Sequence, residues 1–246
     1  MTDPLSALLD LPAVRPALHG AREAVDTALR HRALRRSGGR VAAEVSLRSA
    51  VASAALEGSG YDRERVRQGL VTEPRVQGAL RVAAALPGLV DRWPSAPRQV
   101  LARLHVLAAR DTVAAGELGR PVSGGERLDV LASLVAGGTR VPPLLLAAVV
   151  HGELLAVRPF AGPNGIVARA AARLVLISGG LDPRGLLAVE VGHLARQPEY
   201  VGAANAFATG TPDGLRAWIR HCAAAVELGA GELSAICAEP GLSGAA

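Results

Sequence analysis

Residues 158–169 read RPFAGPNGIVAR, a Pro- and Gly-rich turn between two apolar segments. The pattern predicts that one helix ends near Val157 and that the next begins at about Gly165. The free backbone N–H groups of such a helix start, together with the positive end of its dipole, favour a bound anion. Asn164 suits the N-cap position, and Gly165 would let an anion approach the backbone closely.

Two arginines flank this predicted anion site. Arg169 lies one turn into the second helix, and Arg158 approaches from the other side of the turn. The same residues also fit an ordinary helix corner in which Asn164 only caps the helix. The twelve residues alone leave both interpretations open.

Composition predicts an all-α protein. Of the 246 residues, 50% are apolar but only 2% are aromatic, so Ala, Leu and Val must form the core. Ala and Leu are strong helix formers, whereas the aromatic residues that favour strands are scarce.

Apolar periodicity and the Gly and Pro positions predict a single helical domain. The N-terminus, 1–14, and the tail, 237–246, are expected to be flexible. The domain at 15–236 would comprise N-terminal helices at 15–64 and a core at 98–236. The predicted helices span 14–36, 41–57, 65–86, 98–113, 143–157, 165–177, 186–208 and 213–236.

The charge pattern does not favour nucleic-acid binding. The net charge is +5 and every basic side chain is an arginine, with the densest run, RHRALRRSGGR, at 30–40. This run fits a solvated helix end better than a nucleic-acid patch, because few aromatic residues are present to stack on bases.

The remaining features predict a soluble cytoplasmic protein. Cys222 and Cys237 do not form a disulfide framework, and the N-terminus lacks the pattern of a signal peptide. The longest apolar stretches are too short to cross a bilayer, so we expect no membrane association.

The opening stretch resembles the motif of the Fic family, His-Pro-Phe-x-Asp/Glu-Gly-Asn-Gly-Arg-x-x-Arg. Five residues match, namely Pro159, Phe160, Asn164, Gly165 and Arg169. Four positions depart, with Arg158 in place of His, Gly162 in place of the acidic residue, Pro163 in place of Gly and Ile166 in place of the first Arg.

Other stretches extend the resemblance over about 15–235. SAALEG, at Ser53 to Gly58, is similar to the inhibitory helix of the family subgroup that carries this helix at the N-terminus. The segments at 104–107 and 149–160 resemble the helices before the motif, and the segment from 198 to 227 resembles the last helices of the family. The resemblance implies a Fic/Fido-type helical bundle with a degenerate motif at a helix–loop–helix corner.

Members of this family mostly transfer AMP from ATP to a protein hydroxyl, with the motif His as general base. Arg158 cannot act as that base, because a guanidinium stays protonated. Gly162 lacks the carboxylate that would hold Mg²⁺, and Ile166 lacks a cation that would contact the phosphates. The resemblance therefore implies loss of ordinary AMP transfer, and we expect no metal site.

The sequence offers neither an evident substitute base nor the family's docking flap. His151 lies two turns before Arg158, roughly 10 Å away along the helix, and fits a packing histidine better than a catalytic one. The other histidines show no spacing typical of metal ligands. Active members place a target-docking β-hairpin before the motif, whereas residues 124–143 here predict a short helix.

The resemblance also pairs Glu57 with Arg169, where the family's inhibitory Glu blocks the γ-phosphate position. The pair predicts a strong contact that acts either as a gate on a nucleotide site or as a clamp for the N-terminal helices.

Two functions follow as hypotheses. The first is a pseudoenzyme that acts as an interaction or regulatory module, with residual nucleotide or anion binding at Phe160, Asn164, Gly165 and Arg169. The second is a divergent nucleotidyl- or phosphoryl-transferase that acts on a protein hydroxyl and is inhibited by Glu57, within an inhibitory or clamp segment formed by Ser53, Glu57 and Gly58. Bound ATP, an unnamed protein partner and a homodimer remain open, and binding to nucleic acid through the arginines is the weakest alternative.

Overall fold

The computed structural model describes residues 3–239 of the chain, and within them it contains helices and no β-strand. The prediction of an all-α protein is confirmed. Eleven α-helices are present in the described residues, and we number them in chain order: α1 Val14–Leu29, α2 Ala33–Ala55, α3 Arg63–Arg67, α4 Pro74–Ala85, α5 Pro97–Ala109, α6 Gly125–Ser133, α7 Pro143–Val157, α8 Asn164–Ser178, α9 Val189–Ala195, α10 Gln197–Ala208 and α11 Pro212–Ala238.

The core forms around α7, α8 and α11. Helices α7 and α8 pack side by side across the 158–163 turn, so the predicted helix–loop–helix corner is present. Helix α11 packs on α1, α9 and α10, and α2 packs on α4 and α9. Trp218, in α11, is fully buried, and its indole N–H donates to the carbonyl of Ala148 in α7 at 2.7 Å.

Several predicted helix boundaries were wrong. The predicted helix at 14–36 is divided between Leu29 and Ala33, and the predicted break at Gly38–Gly39 corresponds to a kink at Ser37 within α2 (φ −125°, ψ 21°). The predicted helix at 186–208 is two helices, because Arg196 adopts a non-helical conformation (φ −122°, ψ 37°).

The two chain ends are partly described. Ser6–Asp10 forms a 3₁₀ turn, and the carboxylate of Asp3 accepts hydrogen bonds from Thr139 Oγ1 at 2.7 Å and from the backbone N–H of Arg140 at 2.5 Å. Helix α11 continues through Ala238. The rest of the predicted flexible ends, residues 1–2 and 240–246, lies outside the described residues.

The segment before α7 is helical, as the sequence predicted. Helix α6 buries Leu128 and Leu131, and a π-type turn at Leu134–Gly138 follows it. The described chain therefore presents a helix, and no hairpin, in the region before the motif.

No helix within residues 3–239 has the length and apolarity needed to cross a membrane.

Candidate functional site

The corner begins with a strained residue. Helix α7 ends at Val157, and Arg158 adopts the left-handed conformation (φ 47°, ψ 60°) while its N–H donates to the carbonyl of Leu154 at 3.1 Å. A left-handed conformation costs a non-glycine residue roughly 1–2 kcal/mol. This conformation turns the chain sharply and leaves the Arg158 side chain exposed.

Asn164 closes the turn, and the prediction that it is the N-cap of α8 was wrong. Pro163 is the N-cap residue, and Asn164 is already helical. The buried Asn164 side chain points back into the turn, where its oxygen accepts from the N–H of Phe160 at 3.0 Å. Its amide nitrogen donates to the carbonyls of Phe160, at 2.6 Å, and Gly162, at 3.2 Å. The first N–H groups of α8 are therefore not capped by this side chain.

His105, in α5, holds the turn from the other side. Its ring stacks on Phe160 with centroids 4.6 Å apart, and its Nε2 lies 2.7 Å from the carbonyl of Ala161. Nδ1 accepts from the N–H of Gly119 at 2.9 Å, so Nε2 carries the proton and donates. Burial lowers the pKa of His105, which keeps this tautomer neutral.

Arg169 is the centre of the predicted site. It is 2% exposed, and its Nε and Nη2 donate to the side chain and the carbonyl of Ser53, each at 2.9 Å. Nη2 also donates to Glu57 Oε1 at 3.0 Å, and Nη1 donates to the hydroxyl of Tyr200 at 3.1 Å. The predicted Glu57–Arg169 pair therefore exists, with a single contact to the carboxylate and the other donors of Arg169 used by Ser53 and Tyr200.

The carboxylate of Glu57 lies over the start of α8. A Cβ placed on Gly165 would come within 1.9 Å of Glu57 Oε1, so only glycine leaves room for it. Gly58, the next residue, has a φ of +85°, so the chain turns directly after Glu57. An acidic side chain thus occupies the end of α8 where the sequence predicted an anion.

These groups line a cavity of about 400 Å³. Arg158, Asn164, Gly165 and Arg169 form one side, and Glu57 reaches into it from the end of α2. The α10 residues Tyr200, Val201 and Asn205 form the opposite side. Six of the residues that the sequence singled out, counting Ser53 beneath Arg169, are thereby brought together.

The other predicted positions do not face the cavity. Phe160 is buried against His105 and contributes its backbone to the turn. Ile166 is 2% exposed and packs in the core. Gly162 has a φ of +79°, and a Cβ there would lie 2.8 Å from Val113 Cγ2, so a side chain would not fit without rearrangement. Of the four motif positions that depart from the family pattern, position 158 thus has a cation, position 162 has no side chain, and position 166 has a core residue.

His151 lies beneath the cavity wall. It is 1% exposed, and its Nε2 lies 3.0 Å from the hydroxyl of Tyr200. Arg169 can only donate to that hydroxyl, so the Tyr200 proton is available to His151 Nε2. Burial, and next the charge of Arg169, lower the pKa of His151 well below its usual range. The prediction of a packing histidine is consistent with this environment.

Tyr200 and His105 were not identified as site residues from the sequence. Tyr200 lies 31 residues from Arg169, and His105 lies 56 residues from Ala161. No local pattern marks either residue, although each belongs to a stretch that resembles the family. Among residues 3–239, no group of three or more His, Cys, Asp or Glu side chains is placed to hold a metal ion.

No protein-family model matches the chain, and no curated protein matches it in sequence. Solved structures do match. The chain is similar to a Fic family protein from Desulfovibrio desulfuricans G20, with a TM-score of 0.67 and 24% sequence identity over 88% of this chain and 74% of that one. It is also similar to a fragment of Fic-1 from C. elegans, with a TM-score of 0.70 and 18% identity over 89% of this chain and 71% of that one. These similarities show that the chain has the Fic fold.

Proposed function

We propose that this chain is a Fic-fold protein without ordinary AMP-transfer activity, which acts as an interaction or regulatory module and retains an anion or nucleotide site at the α7–α8 corner. Arg158 and Arg169 would attract the anion, and the start of α8 would contact it.

One observation carries the proposal: both imidazoles nearest the corner are already engaged. His105 uses both ring nitrogens to hold the turn, and His151 is buried behind Tyr200. A general base needs an available lone pair within hydrogen-bond reach of the substrate hydroxyl. Arg158, at the position of the family's catalytic His, offers none.

The position of Glu57 favours a second candidate, a divergent nucleotidyl- or phosphoryl-transferase that Glu57 inhibits. Glu57 is the carboxylate that reaches into the cavity, and Arg169 holds it against Gly165. In that case removal of the carboxylate would open the start of α8 to a nucleotide phosphate.

Calorimetric titration with ATP, with and without Mg²⁺, tests both candidates. The proteins compared are wild type, Glu57→Gly and Glu57→Gln. Glu57→Gly removes the whole side chain, whereas Glu57→Gln removes only its charge. We expect tighter ATP binding to Glu57→Gly than to wild type, no dependence on Mg²⁺, and loss of binding when Arg169→Met is added. A thermal unfolding curve for each variant checks that the fold is retained.

The outcomes separate the candidates. Metal-independent binding without AMP transfer to the protein itself or to added proteins supports the module with a remnant site. Transfer of labelled AMP by Glu57→Gly would overturn the proposal and establish the transferase. Absence of ATP binding in every variant would remove the nucleotide from the proposal and leave the corner as a structural element.

A further inference from the structure

A second cavity, of about 440 Å³, lies away from the corner. It is formed by α2, α4, the C-terminal half of α8 and the loop at 183–185, and none of its described lining residues lines the corner cavity. Its walls are mostly apolar, with Leu86, Pro87, Val90 and Ile177 among them. Its volume lies within the range of about 300–1,000 Å³ that is usual for small-molecule sites.

Arg173 is the buried charge in this cavity. It is 6% exposed, and its Nη2 donates to the carbonyl of Gly185 at 3.0 Å. Its Nη1 forms a buried ion pair with Glu190 Oε1 at 3.8 Å, a separation that is beyond hydrogen-bond distance. Its Nε has no hydrogen-bond partner among residues 3–239. A buried guanidinium with unmet donors is costly, and this points to a missing partner.

One water molecule would satisfy part of this need. A void of about 10 Å³ lies between Ser49, Arg173 and Glu190, which is close to the minimum volume for one water. Ser49 Oγ and Glu190 Oε2 also lack partners within the described chain, so one water could join all three groups. Arg173 lines the larger cavity as well as this void.

The charges around the cavity favour an anion at its inner end. Arg184 stands exposed at the rim, opposite in charge to the exposed Asp91. Glu190 does not line the larger cavity. Asp182, the other buried carboxylate near Arg173, already accepts from the N–H groups of Leu186 and Leu187 at 2.8 and 2.9 Å. Arg173 and Arg184 against Asp91 give the lining one net positive charge, which Glu190 partly compensates from behind the wall.

We propose that this cavity binds a small carboxylic acid with a compact apolar body. The carboxylate would accept hydrogen bonds from the guanidinium of Arg173, and the body would lie against Leu86, Val90 and Ile177. Charge-assisted bonds of this kind are stronger than those to a neutral acceptor, so the charge of the ligand is essential.

Calorimetry or protein-observed NMR with 4-phenylbutanoate as the probe tests the site, and 4-phenylbutanamide serves as its neutral counterpart. We expect the carboxylate to bind wild type about ten-fold more tightly than the amide. Arg173→Gln should remove that preference. Arg173→Gln changes a buried residue, so a second variant that leaves Arg173 unchanged is needed. Ser46→Phe provides this independent test, because it places a ring into the cavity from α2. Ala43→Phe, at an exposed position of the same helix, is the matched control.

Loss of carboxylate binding in Ser46→Phe, with binding retained in Ala43→Phe, supports the site. Equal binding of the acid and the amide would overturn the role of Arg173. Unchanged binding to Ser46→Phe would mean that the probe binds outside this cavity, which would overturn the proposed site. Absence of binding to wild type at millimolar probe would also reject the proposal.

Discussion

Asn164 illustrates how one side chain organises the corner. Its amide makes one hydrogen bond as an acceptor and two as a donor, all within the turn that it closes. Only an amide offers both kinds of group in this geometry. The residue therefore preserves the shape of the motif whether or not any chemistry remains.

The substitution Asn164→Asp tests this role. The carboxylate keeps the acceptor for Phe160 N–H but faces the carbonyls of Phe160 and Gly162 without a proton to donate, so we expect a loss of about 2–3 kcal/mol in the free energy of unfolding. Urea denaturation followed by far-UV circular dichroism measures it. Asn205→Asp adds the same charge at an exposed position of the same cavity and should change stability by less than about 0.5 kcal/mol. Equal effects of the two substitutions would mean that charge, and not the turn, is responsible.

Helix α2 owes its position to a buried ion network at its middle. Glu44, 5% exposed, accepts from Arg48 Nε at 2.6 Å and from both terminal nitrogens of Arg67 at 2.7 and 3.0 Å. Arg48 also binds Glu232, at 2.7 Å, and Glu239, so α2 is joined to both α3 and α11. The hydrogen bonds from Arg67, with those from Arg48, outweigh burial and lower the pKa of Glu44 from 4.5 to about 2.

We expect Glu44→Gln to reduce the free energy of unfolding by about 3 kcal/mol at pH 7, because it leaves Arg48 buried with one fewer carboxylate. Chemical denaturation measures the change. The control is Glu64→Gln, which removes an exposed carboxylate from the same arginine, Arg67, and should cost less than about 1 kcal/mol. A small effect of Glu44→Gln would show that Glu232 and Glu239 neutralise Arg48 without it.

At the scale of the whole molecule, three imidazoles lie in one buried cluster with Tyr200 and Trp218. His193 Nδ1 lies 3.0 Å from His221 Nε2, and the rings of His151 and His193 meet edge to face at 5.0 Å. Burial lowers the pKa of His151 and His193 well below the usual range and that of His221 to about 4. The native protein therefore keeps all three neutral.

The folded pKa values lie below the unfolded value of 6.5, so their contribution to stability is fully present above pH 6.5. It is lost as the pH falls from 6.5 towards 4, because the unfolded chain takes up three protons that the folded chain does not. We expect these three histidines to make the free energy of unfolding fall with a slope approaching about 4 kcal/mol per pH unit below pH 6, and His105, whose pKa burial also lowers, adds to that fall. Urea titrations monitored by tryptophan fluorescence measure this slope.

His221→Gln should reduce that slope by about one third, since one of the three protons is removed. His19→Gln, at an exposed position of α1, should leave the slope unchanged. A wild-type slope no steeper than that of His221→Gln would mean that the cluster accepts protons without unfolding.

The helical class, the corner at 158–163 and the Glu57–Arg169 pair were all predictable from the sequence. Helix propensity and Gly or Pro breaks act over a few residues, and the pair followed from the resemblance of two separate stretches to the family. Tyr200 and His105 acquire their contacts across separations of 31 and 56 residues, and the cavity at Arg173 forms only where α2, α4 and α8 meet. Only the tertiary structure determines these features, because hydrogen bonding and burial depend on which helices pack together, and no local pattern encodes that.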